Sequence, residues 1–241
     1  MPLPQISTPT YELTIPSSKK KIKYRPFLVR EEKILILALE SENEKQIADA
    51  IKSTLKSCII TRGIKIDSLS TFDIEYIFLN IRGKSVGESI DLIITCPDDG
   101  KTKVEVKVYI DEIKVKIDEK HSPDIKLDDS LTLRMRYPAI NEFVRNNFEF
   151  KVNDEESIEQ SFELIASCID IVYSQDESWA ASDCTKKELN DWLGSLDSRQ
   201  VKEIELFFQT MPKLSHTIKV TNPETKVESA VTLEGISNFF E

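Results

Sequence analysis

The sequence predicts an α+β protein: an antiparallel sheet and hairpins with several packed helices, the C-terminal half mostly helical and closing in a hairpin. Three observations carry this. "SIDLIITCPDDGKTKVEVKVYI" alternates with period two around the turn formers Pro97, Asp98, Asp99 and Gly100. Ile47, Ile51, Leu55 and Ile59 recur every fourth residue and make one apolar helical stripe. Asn153 with Glu156 resembles a capping box, and Ile158, Phe162, Ile165, Ile169 and Val172 follow it at helical spacing.

Taken in order, Pro2, Pro4 and Pro9 suggest an extended start. "YELTIPSSKKKIKYRPF" reads as a β-hairpin, with Tyr11, Leu13 and Ile15 matched to Ile22 and Tyr24, and Pro26 ends its second strand. Glu31 and Glu32 then place negative charge in the first turn of a helix that continues through "KILILALE". A second helix runs from about Glu44, with Gly63 as its stop, and a third starts at Ser70, with Asp73 three residues on. After the hairpin around "CPDDG", "IKVKID" and "LTLRMRYP" read as further strands of one sheet, with "EKHSPDIKLDD" a loop between them. The helix from Asn153 is expected to reach Val172. Two more helices, "KKELNDWLGSL" capped by Thr185 and Glu188 and "DSRQVKEIELFFQTMP", precede a hairpin that turns at Asn222 and Pro223. The expected division is an N-terminal α+β domain, 1–152, and a C-terminal helical domain with the terminal hairpin, 153–241.

A chain of 241 residues can bury a core without disulfides, and 40% hydrophobic against 31% charged residues is ordinary for a folded protein. Cys58, Cys96, Cys168 and Cys184 form no CxxC, which fits buried thiols in a reducing compartment. The net charge of -10 argues against nonspecific nucleic-acid binding. Charge is uneven: Lys19, Lys20, Lys21, Lys23 and Arg25 face only Glu12 near the start, whereas residues 151–212 hold 14 acidic and 5 basic side chains. No stretch reaches the roughly 18 apolar residues of a membrane span, and no apolar leader is expected from "MPLPQISTPTYEL".

Chemistry is sparse. His121 and His216 are the only histidines and stand at no metal-ligand spacing. No phosphate-cradling glycine loop or nucleophile elbow occurs. "CPDDG" has Asp99 where a zinc knuckle needs its second thiolate, so a hairpin turn is the better reading. No catalytic, cofactor-binding or metal residue is therefore assigned. The apolar residues are more informative: "ILILAL" is hydrophobic around the whole helix and must be covered by protein, core being the default and partner the alternative. Phe239 and Phe240 raise the same question at the other end. Candidate partner-binding residues are Phe27, Leu35, Leu37, Ile158, Phe162, Ile165, Ile169, Phe239 and Phe240.

"KIKYRPFLVREEKILILAL", "CPDDGKT", "LRMRYP" and the tail "FFQTMPKLSHTI...VTLEGISNFF", in this order, resemble the baseplate hub subunits, or hub assembly catalysts, of T-even-type contractile-tailed bacteriophages. The resemblance implies a noncatalytic viral protein in the host cytoplasm during tail assembly, as a hub subunit or a departing chaperone. Its partners would be other baseplate hub or tape-measure proteins, or a second copy of itself, with no nucleic acid, membrane, cofactor or small-molecule substrate. Some relatives carry a CxxC in the tail hairpin; "VTNPETK" has none, so a metal is not expected there. The competing readings are an unrelated binding module and an enzyme with no recognisable motif.

Overall fold

The computed structural model describes residues 6–41, 43–140 and 154–235, the side chains of 44 and 154–160 excepted. It is an α+β protein of short antiparallel sheets and helices, divided into two compact units that are each assembled from separated stretches of chain. The first is 1–116 with 139–148 and 213–241; the second is 117–138 with 149–212. The terminal hairpin thus belongs with the N-terminal elements.

In the first unit, β1 (Tyr11–Thr14) and β2 (Lys21–Tyr24) pair with Leu13 opposite Ile22. Alternation buries Leu13, Ile15, Ile22 and Tyr24 on one face. Helices α1 (Val29–Glu40), α2 (Glu44–Cys58) and α3 (Thr71–Ser85) follow. Asn43 caps α2 by accepting from the Gln46 amide, and the helix stops at Cys58, five residues before Gly63, because Ile59 leaves helical geometry to bridge Tyr24. Buried Ile74, Ile77, Leu79 and Ile81 surround α3, which is a core helix rather than an amphipathic one. Asp73 accepts from the Ser70 hydroxyl at 2.7 Å and the Ser17 amide at 3.0 Å, fastening the β1–β2 turn to the start of this helix. Gly83 packs closely on a neighbour: a Cβ there would lie 2.7 Å from the Ile110 Cδ1, so that side chain would have to shift.

Strands β3 (Ser89–Thr95) and β4 (Lys103–Tyr109) form the expected hairpin. The single sheet expected beyond it is instead divided. β5 (Lys114–Lys116) pairs with β10 (Lys213–Thr221), whose other edge carries β11 (Glu228–Glu234). The two turns "CPDDG" and "TNPETK" meet: the buried Asn222 amide donates to both Asp98 oxygens at 3.0–3.1 Å and to Asp99 at 3.0 Å, and the Thr225 hydroxyl also donates to Asp98.

The second unit is a four-stranded antiparallel sheet, β6 (Asp124–Lys126), β7 (Thr132–Met135), β8 (Ile169–Tyr173) and β9 (Ser178–Ala180), with α4 (Asp154–Cys168), α5 (Lys186–Leu193) and α6 (Ser198–Thr210). The stretch expected to be a loop contains β6. The helix expected to run to Val172 ends at Cys168, where the β-branched run Ile169, Ile171 and Val172 switches to a strand opposite β7. Thr185 and Glu188 form the expected capping box of α5, and Asp197 with Gln200 forms another for α6. Leu133, Met135, Ile169, Val172, Leu193, Ile204 and Phe207 make the core.

A candidate partner-binding surface on the first helix

The segment "PFLVREEK" turns the chain from strand to helix, and its polar groups hold α1 in place. Ile60 and Arg25 amides donate to the Lys23 and Cys58 carbonyls at 2.8 and 2.9 Å, tying β2 to the end of α2. The Phe27 amide donates to the Ser85 hydroxyl at 2.9 Å. Glu31, nearly inaccessible on the inner face of α1, then collects three donors: Arg25 Nη2 and Arg30 Nε at 2.9 Å and the Leu28 amide at 2.7 Å. Burial alone would raise the Glu31 pKa, but these hydrogen bonds and the Arg25 charge outweigh it and hold the carboxyl at about 2, down from 4.5. Arg25 is held above its ordinary value chiefly by Glu31, while burial pushes the neighbouring Cys58 thiol up to about 11.

With the inner face of α1 made by Glu31, half-buried Leu35 and Ala38, the rest of the helix faces outward. Val29 is 79% exposed, Ile34 46%, Ile36 50%, Leu37 55% and Leu39 44%. This overturns the expectation that core is the default cover for "ILILAL": an ion pair anchors the helix and its aliphatic side chains stay accessible. Five large aliphatics on one short helix are thus exposed, interspersed with the exposed Arg30, Lys33 and Glu40, and make this helix a candidate protein-binding surface.

Of the residues proposed from sequence for partner binding, Leu35 and Leu37 lie on α1 and half-buried Phe27 lies just ahead of it. Phe162, exposed, and Ile165, packed against the core, belong to α4 in the second unit. Ile169 is fully buried in β8 and is a core residue, not a surface one, because it has left the helical seam for the sheet. The Ile158 side chain and Phe239 and Phe240 lie outside the described residues. Sequence reasoning reached Ile34, Ile36 and Leu39 only as part of "ILILAL", whose lack of a polar face was the signal, and missed Val29.

Among the described residues no group of three or more His, Cys, Asp and Glu could hold a metal ion, and no helix is long and apolar enough to cross a membrane. His121 clusters with Tyr137 and Phe207, which also stack on each other, with its ring nitrogens 3.0 Å from the Thr210 and Tyr137 hydroxyls, and burial lowers its pKa. His216 lies 3.7 Å from Glu112.

The family described as T4 bacteriophage base plate protein matches residues 8–241 of the chain. The chain belongs to that family. A curated relative, the baseplate hub assembly protein gp26 of Enterobacteria phage T4, is 22% identical over 234 residues, covering 96% of this chain and 98% of that protein. No solved structure matches.

Proposed function

We propose that the protein is a noncatalytic component of baseplate hub assembly, working in the infected cell through protein–protein contacts, with the outer face of α1 as a docking surface for another hub or tape-measure protein. The observation that carries this reading is the accessibility of Val29, Ile34, Ile36, Leu37 and Leu39 on a helix whose position is fixed by the Arg25–Glu31 pair. Because the helix is held by polar contacts on its inner side, its outer side can be given up to a partner without disturbing the core. The family and the named function of the T4 relative support the same reading. Acidic net charge keeps a chain with such a patch dispersed before it meets its partner.

Affinity purification of the tagged chain from infected cells tests this. Recovery of baseplate hub proteins with the wild type, and their loss with Leu37→Asp at unchanged far-UV circular dichroism, is the expected result. Hub proteins recovered equally with both chains would remove α1 from the interface, and their absence from the wild-type preparation would overturn the function. Mass spectrometry of purified virions then separates a resident subunit from a chaperone that departs.

A further inference from the structure

We infer that the outer face of α1 is first covered by the same face of a second copy of this chain, the two helices running antiparallel about a two-fold axis. This rests on the reading of that face as a docking surface and names its first occupant. At about 100° per residue, Val29, Lys33, Ile36 and Glu40 fall within about 60° of one another, directly opposite Glu31 and Ala38. Their spacing of 4, 3, 4 is that of a helix–helix seam, and Leu37 flanks it.

The charges on this seam are ordered for one orientation. Lys33 lies in its N-terminal half and Glu40 at its C-terminal end, both exposed, with Ile36 between them. An antiparallel copy with its axis between Ile36 and Leu37 sets Lys33 against the partner's Glu40, Glu40 against the partner's Lys33, and Ile36 against the partner's Leu37. The pattern is therefore self-complementary, as an isologous interface requires. A parallel copy would oppose Lys33 to Lys33 and Glu40 to Glu40, and like charges select against it. The helix is only 12 residues, so the contact is about 18 Å long and smaller than the roughly 1,000 Å² of a durable interface. The pair is reversible, which suits a face that must be released to a larger hub interface.

Sedimentation velocity of the full chain from about 1 to about 100 µM tests this. The wild type should move from monomer to dimer across that range. Lys33→Glu sets two glutamates against each other on both sides of the axis and should weaken association about tenfold or more, with an unchanged circular dichroism spectrum. The double variant Lys33→Glu with Glu40→Lys restores both pairs in reversed polarity and should restore the dimer. A wild type monomeric throughout, a dimer indifferent to Lys33→Glu, or a double variant as weak as the single one overturns the inference. The proposed function fails separately: a monomeric chain that still recovers hub proteins refutes only the self-pair, and a charge-dependent dimer that recovers none refutes only the hub reading.

Discussion

Replacing Glu31 by Gln removes the charge that fixes α1 while keeping an acceptor for the Leu28 amide. The Glu31 side chain is 6% exposed and that of Arg25 14%, so the pair is little screened, and the lost partner leaves a guanidinium largely buried without its counter-charge. A carboxyl held at about 2 when folded and 4.5 otherwise stabilises the fold by about 3 kcal/mol at neutral pH, to order of magnitude. Because the folded value is the lower one, the contribution is complete above the unfolded pKa and is lost as pH falls through the folded one. By the same relation it has shrunk to about 1 kcal/mol at pH 3. Amide hydrogen exchange across residues 25–58, read for wild type and Glu31→Gln from pH 7 down to pH 3, follows this segment directly. Protection should be lower in the variant at pH 7, and the two chains should converge as the pH drops. Equal protection at pH 7, or a difference that persists undiminished at pH 3, would refute the argument that ionised Glu31 anchors the helix.

Two further outcomes are expected. Ile169→Ala, at a fully buried position of β8, should cost about 2–5 kcal/mol in urea unfolding monitored by tryptophan emission, since Trp192 packs against the same core; a surface residue of a helical seam would cost far less. Asn222→Ala should cost about 1–3 kcal/mol, because it strips the amide donor from Asp98 and Asp99 and separates two turns, and exchange protection should fall in both turns together rather than in one.

Local pattern located most elements: the hairpin from Tyr11, the stripe of α2, the start of α3, the "CPDDG" hairpin, the cap of α5, the helix α6 and the terminal hairpin all follow from neighbouring residues. What local pattern could not supply was pairing. β5 finds its neighbour in β10, nearly the whole second unit away in sequence, and nothing within "IKVKID" names that partner. Ile169 to Val172 fits a helical seam and a buried strand equally well by spacing, and only the edge offered by β7 decides between them. "ILILAL" shows a different gap. An apolar helix was legible, and so was its need for cover, but who provides that cover depends on Arg25 reaching Glu31, a contact that no periodicity encodes. Composition states the need for burial; geometry states where the burial stops.

The threading of the first unit also sets a timetable for its manufacture. β10 and β11 are translated only after the whole of the second unit, so the edge of β5 has no strand to join until the ribosome has added some hundred further residues, on the order of 5–20 s at ordinary elongation rates. The segments that make α1 and its Arg25 latch, by contrast, have all been synthesised by Cys58. The exposed helix is therefore available while its own unit still lacks its three-stranded sheet, and a nascent chain on a crowded polysome meets its siblings at the highest local concentration it will ever experience.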